Sequence, residues 1–220
     1  MLLAFDTSTP LCSVAISVGG QVYCLEDVLS DHSHTEKLFE YVDELLNKHG
    51  FLPRQLEGIV VGLGPGSYTG LRVAASAAKG MAYALDIPVY GVSSLQTIHR
   101  RFILGGTIGQ NDLVITAIDA RRMEVYASAF CWDGSALFEN KAVKVSENTW
   151  SEYRYAFENV HIVGVGVSKL HKVFAQPNVR ITDNVYPSAK DSLLIKEEKI
   201  ATPLDLAYFE PLYVKQFGEL

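Results

Sequence analysis

Apolar residues at the start of the chain come in short runs rich in β-forming residues. These runs occupy residues 2–5, 12–18 and 21–25, with a polar turn at 6–10 and Gly19-Gly20 between the last two. A Gly-Gly pair between β-rich runs is typical of a tight hairpin. The pattern therefore predicts a strand followed by a β-hairpin.

Helical spacing replaces these runs further along. Apolar residues recur at helical intervals from Leu38 to Leu46, after Ser33-His34-Thr35-Glu36, which has the sequence of a capping box. This predicts a helix over 33–48, ended by His49-Gly50. A second helix is predicted over 68–85, where many Gly and Ala residues permit close approach of another backbone. A strand at 89–92 and a short helix to His99, capped by Ser93 or Ser94, follow.

The opening plan returns in the second half of the chain. A predicted strand at 113–118 ends at Asp119 as the first strand ends at Asp6, and a strand at 124–132 leads to Asp133-Gly134. An apolar strand running into a Gly-x-Gly turn occurs at 59–64 and again at 162–166. We therefore predict a duplicated unit of about 110 residues, with domains 1–105 and 106–220. The remaining predictions are helices near 150–157, 167–174 and 189–195 and an irregular tail at 202–217.

Composition and charge narrow the functional classes. The 220 residues are 48% hydrophobic and 20% charged, with a net charge of −6, so a protein that holds nucleic acid unaided is disfavoured. No uncharged stretch reaches the roughly 20 residues of a membrane helix, and the N-terminus has no basic leader. Three scattered cysteines suit a reducing compartment, so we expect a cytoplasmic protein without a membrane partner.

The most distinctive motif is a glycine-rich turn at residues 62–72, GLGPGSYTGLR. It lacks the Lys of a P-loop, and its glycine spacing is one residue too long for a dinucleotide fingerprint. One interpretation is a structural or interface turn, with Ser67 as helix cap. The other is an anion site formed by backbone amides around Gly64 and Gly66.

Other candidate groups give weaker signals. Asp6, beside Thr7, either faces a metal-nucleotide or closes its own turn, whereas an internal ion pair with Arg121 is favoured for Asp119. The histidines form no HExxH pattern, and His32 and His34 are expected to cap a surface helix rather than bind zinc. No nucleophile has an assignable base, so covalent catalysis is not expected.

Several segments together resemble the TsaB (YeaZ) family. They are LAFDTST with CSVA, the GPGSYTGLR stretch, GVSSL, IDAR with EVY, and the ending EPLY, in order along nearly the whole chain. The resemblance implies a duplicated actin-like α/β fold of the sugar-kinase (ASKHA) type, with two mixed β-sheet lobes flanked by helices. It also implies a role in threonylcarbamoyladenosine (t6A) modification of tRNA beside the catalytic paralogue TsaD and the ATPase TsaE.

The same resemblance suggests that the chain is not itself catalytic. In TsaD the strand before the third helix leads into Asn-His-x-x-x-His, which holds a metal, and the matching stretch here is Ser93-Ser94-Leu95-Gln96-Thr97-Ile98. Neither a hydroxyl nor an isoleucine replaces an imidazole ligand. We expect a scaffold with no cofactor or metal of its own, with ATP and metal on partner subunits and tRNA contacted only indirectly. The alternative is an independent ATP-dependent phosphotransferase or ATPase of the same fold.

Two groups of site residues follow from this comparison. In relatives the first two helices pair with the catalytic subunit or, without it, with a second copy, and both helices here have excess apolar positions. The expected interface comprises Leu38, Phe39, Val42, Leu45, Leu46, Tyr68, Leu71, Arg72, Ala75, Ala78, Met81 and Ala82. A vestigial nucleotide cleft would involve Asp6, Thr7, Gly64, Gly66, Ser67 and Asp119. We expect Leu46→Asp or Ala78→Asp to weaken the interface and leave the fold intact.

Overall fold

The computed structural model describes residues 1–29, 33–106, 108–197 and 201–215. The chain divides into two compact units, one formed by residues 1–97 and 187–212 and the other by residues 98–186 and 213–220. None of the helices in the described ranges has the length and apolar character needed to cross a membrane.

The first unit is built on a six-stranded mixed sheet. Its strands are β1 (Leu2–Asp6), β2 (Leu11–Val18), β3 (Gln21–Val28), β4 (Gly58–Gly64), β5 (Val89–Ser93) and β11 (Thr202–Pro203), in the order β11-β5-β4-β1-β2-β3. β1 is central, antiparallel to β2 and parallel to β4. Because β1 and β4 run parallel, Asp6 and the glycine-rich turn lie at the same edge of the sheet.

Helices cover both faces of this sheet. Helices α1 (His34–His49) and α2 (Tyr68–Leu85) pack with one set of alternate strand residues, including Leu3, Phe5 and Val61. Helix α5 (Ala189–Glu197) covers the opposite face, where Ala4 and Val60 are buried. Alternation along each strand therefore supplies two apolar faces, and both are covered.

The second unit has a five-stranded mixed sheet with fewer helices. Its strands are β6 (Asp112–Asp119), β7 (Glu124–Cys131), β8 (Ala136–Lys144), β9 (Asn159–Val165) and β10 (Val179–Thr182), in the order β10-β9-β6-β7-β8. One face packs against residues from α4 (Ser151–Ala156) and the 3-10 helix Ser168–Lys172. Helix α3 (Ser94–Gly105) begins in the first unit and ends in the second.

The strand orders confirm the duplication. Strands β3-β2-β1-β4-β5 correspond to β8-β7-β6-β9-β10, with the same parallel and antiparallel pairings. The registers place Asp6 opposite Gly62 and Asp119 opposite Gly166, one residue beyond the final ladder pairs Phe5–Val61 and Ile118–Val165. The two aspartates therefore occupy equivalent positions, as predicted.

Several element predictions need correction. The two compact units do not meet at the predicted domain boundary after residue 105. The first unit ends at residue 97, and residues 187–212, which include α5 and β11, also belong to it. Strand β8 follows Asp133-Gly134 as the repeated plan implies, strands β10 and β11 were not predicted, and α3 extends six residues past His99. Ser33 precedes α1, but its side chain makes no capping hydrogen bond, since its φ of −79° and ψ of 20° are not the extended backbone that a cap needs. His32 and the end of the predicted tail lie outside the described residues.

Candidate functional site

Asp6 lies at the end of β1 and is completely buried. Its Oδ1 accepts hydrogen bonds from the backbone N–H of Ser8 at 2.8 Å and from the Ser8 hydroxyl at 2.6 Å, and its Oδ2 accepts one from the Ser94 hydroxyl at 2.8 Å. Burial raises the pKa of Asp6 above its ordinary value, although the bonds from Ser8 and Ser94 act against this. All of these partners belong to the first unit, so the carboxyl group closes its own turn.

The glycine-rich turn is filled by the β1–β2 turn. A β-carbon added at Gly66 would lie 2.1 Å from the Ser8 carbonyl oxygen, and one at Gly70 would lie 1.9 Å from the Thr7 carbonyl oxygen. The Ser67 N–H donates to the Ser8 carbonyl at 2.7 Å, and the Thr7 hydroxyl donates to the Gly70 carbonyl at 2.7 Å. These glycines are therefore explained by contact with the chain's own backbone.

Two further features of this turn agree with a structural role. Gly64 has a φ of +98°, which favours glycine, and the Gly64–Pro65 peptide is cis. Ser67 caps α2, because its side chain accepts a hydrogen bond from the Gly70 N–H. Of the two interpretations of the motif, the structure favours a packed turn over a phosphate loop.

Asp119 is held differently from Asp6. Its side chain is 44% exposed and pairs with Lys169, and its Oδ1 accepts a hydrogen bond from the Arg121 N–H at 2.9 Å. The predicted ion pair between Asp119 and Arg121 is wrong. Arg121 binds Asp119 through its backbone N–H, and the cation that pairs with Asp119 is Lys169. The Lys169 ammonium also donates to the carbonyls of Arg122 and Glu124, which fixes it beside the turn.

The turn after β9 binds a carboxylate from within its own unit. Asp183 accepts hydrogen bonds from the N–H groups of Gly166 at 2.8 Å, Val167 at 3.2 Å and Ser168 at 3.0 Å. Burial opposes ionisation of Asp183, yet these bonds and one from Asn184 hold its pKa below the ordinary value. This turn corresponds to the glycine-rich turn of the first unit, where the Ser8 carbonyl accepts from the Ser67 N–H, so in each unit an oxygen atom of the chain itself binds the turn.

Ser94 and Ile98 lie where the TsaD motif is expected to have its two metal-binding histidines, and their side chains do not suit a metal. Ser94 is buried and its hydroxyl donates a hydrogen bond to Asp6, and Ile98 has a buried aliphatic side chain. Within the described residues, no three His, Cys, Asp or Glu side chains are grouped so that they could hold a metal ion. His34 is buried rather than a surface cap, with its Nε2 2.8 Å from the Thr9 carbonyl oxygen.

Helices α1 and α2 form an apolar groove on the first unit. Its volume is about 690 Å³, and it is lined by Thr35 and Phe39 of α1 and by residues of α2 between Tyr68 and Ala84. Phe39 is 44% exposed and Tyr68 is 41% exposed, although both are large and apolar or aromatic. The Arg72 guanidinium lies 4.1 Å from the centre of the Tyr68 ring, which places a cation beside the apolar surface.

Gly80 lies in the wall of this groove, and no packing contact with the described residues requires a glycine there. Among those residues, a β-carbon added at Gly80 would meet no atom within 4 Å outside its own helix. A helix-interior glycine lowers helix stability by about 1 kcal/mol relative to alanine. Sequence reasoning noticed that α2 is rich in small residues but did not single out Gly80, because only the structure separates Gly80 from the glycines that face the core.

Burial divides the expected interface residues into two sets. Eight of them pack inside the first unit and cannot reach a partner: Leu38, Val42, Leu45, Leu46, Leu71, Ala75, Ala78 and Ala82. Phe39, Tyr68, Arg72 and Met81 line the groove. The error has a physical reason: helical spacing identifies an apolar face, but α1 and α2 turn most of that face toward the sheet. The expectation that Leu46→Asp and Ala78→Asp leave the fold intact is withdrawn for the same reason.

The amino-acid sequence is similar to proteins of tRNA threonylcarbamoyladenosine biosynthesis. Residues 28–216 match the family described as TsaD: tRNA N6-adenosine threonylcarbamoyltransferase. The Escherichia coli tRNA threonylcarbamoyladenosine biosynthesis protein TsaB is 29% identical over 97% of this chain and 94% of that protein. The Haemophilus influenzae protein of the same name is 39% identical, but the match covers 58% of this chain and about half, 52%, of that protein.

Solved structures agree with these relatives. A Pseudomonas aeruginosa protein described as similar to peptidase YeaZ superposes with a TM-score of 0.80 at 27% identity, covering 97% of this chain and 99% of that chain. YeaZ from the same organism gives a TM-score of 0.78 at 27% identity, covering 96% and 98%. The fold is therefore the duplicated actin-like α/β fold, with two mixed sheets flanked by helices. Because the family match extends over most of the residues and the fold agrees with YeaZ, the chain belongs to the TsaB (YeaZ) proteins, paralogues of TsaD within the TsaD family.

Proposed function

We propose that this chain is a non-catalytic scaffold subunit for t6A modification of tRNA, and that it supports a TsaD-like catalytic paralogue. The observation that carries the proposal is the α1–α2 groove, an apolar surface with an unexplained glycine in its wall. Apolar grooves of this kind on a protein surface are typical of binding sites for a helix or another protein. In the absence of the paralogue, a second copy of the chain would occupy the same groove.

The internal hydrogen bonding supports a role without chemistry. Both carboxylate oxygens of Asp6 accept hydrogen bonds from Ser8 and Ser94, and the Ser8 carbonyl fills the space beside Gly66. The amides after β9 are already bound to Asp183. A nucleotide would have to displace the chain's own groups from both turns, so we place ATP and metal on partner subunits, including a TsaE-like ATPase.

The proposal includes the cellular setting that the chemistry requires. A subunit acting on tRNA beside TsaD works in the cytoplasm, where the scattered cysteines stay reduced. The alternative, an independent ATPase or phosphotransferase, requires magnesium-dependent ATP binding by the isolated chain. Isothermal titration with ATP and Mg²⁺ tests it, and binding abolished by Asp6→Ala would favour the enzyme over the scaffold.

Partner binding tests the scaffold directly. Phe39→Asp places a carboxylate in the groove without disturbing the core, because the Phe39 ring is half exposed. We expect at least a tenfold weaker complex with the catalytic paralogue, since burying an unpaired charge costs more than about 1.4 kcal/mol. Tyr83→Asp is the matched control, because Tyr83 lies on α2, is 83% exposed and does not line the groove. Equal affinities for wild type and Phe39→Asp would exclude the groove as the docking site.

A further inference from the structure

The β6–β7 turn carries two neighbouring arginines in an unfavourable backbone conformation. Arg121 has a φ of +69° and Arg122 a φ of +51°. Glycine and asparagine adopt this left-handed region readily, and a long side chain such as arginine adopts it rarely. Turn positions with such backbone angles ordinarily carry glycine or asparagine. Backbone strain of this kind points to a role for the side chains that the turn presents.

The guanidinium groups take little part in holding the turn, since Arg122 only attracts the Glu124 carboxylate without forming an ion pair with it. Both residues are exposed, and within the described part of the chain neither side chain makes a hydrogen bond or an ion pair. The turn is held instead by backbone bonds, from the Ala120 N–H to the Glu124 carbonyl and from the Glu124 N–H to the Arg121 carbonyl, and by Asp119. The two charges are therefore available to a ligand.

Further cations surround this turn. The Lys169 ammonium is bound to the Arg122 and Glu124 carbonyls, Lys144 lies opposite Glu124 on β8, and Lys215 pairs with Glu124. The carboxylates at this place are Asp119, paired with Lys169, Glu124, paired with Lys215, and Asp183, which is bound to the amides of residues 166–168. Five cations thus lie near three carboxylates, and we call Arg121, Arg122, Lys144, Lys169 and Lys215 the basic cluster.

The charge of the chain is divided unequally between its units. The residues of the first unit include 8 Lys and Arg against 15 Asp and Glu, a net charge of −7, whereas those of the second include 11 against 10, a net charge of +1. The overall charge of −6 therefore comes from the first unit, and the second unit is close to neutral. A polyanion approaching the protein is repelled less by the second unit than by the first.

We propose that the basic cluster contacts the phosphate backbone of the tRNA, with Arg121 and Arg122 as its principal ligands. This inference rests on the proposed function, which supplies an RNA partner, and it revises the expectation that the chain approaches tRNA only indirectly. Arginine forms bidentate hydrogen bonds to phosphate, and a turn apex carries both side chains away from the sheet. The contact is independent of sequence and adds to the binding that other subunits provide.

The test uses the complex of the chain with its catalytic paralogue and a transcribed tRNA, with Kd measured at several salt concentrations. In Arg121→Asn/Arg122→Gly both new residues suit the left-handed turn, so the fold stays at least as stable, as a thermal melt checks. We expect Kd to rise about three- to tenfold at low salt, and the slope of log Kd against log salt to fall by about one for each phosphate that the variant no longer binds. Lys48→Gln/Arg54→Gln, which removes two exposed cations from the first unit, should change neither.

Each other outcome has a definite meaning. An unchanged Kd and salt slope in the arginine variant overturns the proposal. Loss of the catalytic paralogue from that variant also overturns it, because the cluster would then dock an acidic protein surface. Failure of the proposed function would appear separately, as a wild-type chain that forms no complex; the same titration on the chain alone at low salt then decides whether the arginines bind RNA.

Discussion

Gly70 and Gly80 lie on the same helix and have opposite surroundings. A β-carbon at Gly70 would lie 1.9 Å from the Thr7 carbonyl oxygen, and one at Gly80 would meet no atom of the described ranges within 4 Å outside its own helix. We predict that Gly70→Ala destabilises the protein by about 1–3 kcal/mol through overpacking, and that Gly80→Ala stabilises the isolated chain by about 1 kcal/mol. Urea denaturation of both variants measures the two effects, and equal shifts would contradict the assignment.

Asp6 gives a pH-dependent prediction. Burial raises its pKa in the folded protein, against the hydrogen bonds from Ser8 and Ser94. A carboxyl group with a higher pKa folded than unfolded binds its proton more tightly in the folded state, so its contribution to stability falls as the pH rises through that window. Relative to Asp6→Asn, which does not titrate, the wild type should gain free energy of unfolding as the pH falls from 7 to about 4. This prediction is wrong if the difference in free energy of unfolding between the wild type and Asp6→Asn does not change with pH.

For single residues, the sequence predicts where a side chain lies on the fold better than it predicts the groups to which that side chain hydrogen-bonds. Asp6 and Asp119 were placed correctly at equivalent strand ends, because a strand followed by Asp and a polar turn is a local pattern. Asp183 was missed as the carboxylate that binds the turn after β9, since it is 15 to 17 residues away from the amides it accepts from. The capping role of Ser33 failed because it depends on a backbone angle that sequence alone does not fix.

At the scale of elements, the bounds of the helices were predicted well, but which side chains of each helix are buried against the sheet was not. The bounds of α1 and α2 agree with the predicted helices within one or two residues, because helical spacing and terminal signals are local. The burial of Leu46 and Ala78 depends on how α1 and α2 lie on the sheet, which no spacing reveals. Strand β10 escaped prediction because it has only four residues, two of them exposed.

The two faces of these helices predict different effects of mutation. Leu46→Asp buries a charge in the core, so we expect it to unfold the protein or to lower its stability by more than about 3 kcal/mol. Gly80→Leu fills the groove from its wall, and we expect normal stability with at least tenfold weaker binding of the catalytic paralogue. Thermal melts and sedimentation of the mixed proteins measure both. A folded Leu46→Asp, or a Gly80→Leu that binds normally, would show that the faces are misassigned.

At the scale of the whole molecule, the fold fits a protein that acts through contacts. Two repeats of one strand order supply two sheets, and in both the turn beside the equivalent aspartate is filled by the chain's own groups. The first unit then presents the groove and the second presents the basic cluster. These self-occupied turns are compatible with the proposed binding role, because function depends on the groups at a site and not on the fold alone.

The central claim is that this chain supports t6A formation by another subunit and performs no transfer itself. The most direct test supplies tRNA and the threonylcarbamoyl donor to the chain alone, to the catalytic paralogue alone, to both together, and to the paralogue with Gly80→Leu. We predict modified tRNA in quantity only when the paralogue and the wild-type chain are combined, with Gly80→Leu reduced toward the level of the paralogue alone. Modified tRNA produced by the chain with no other protein would contradict the account.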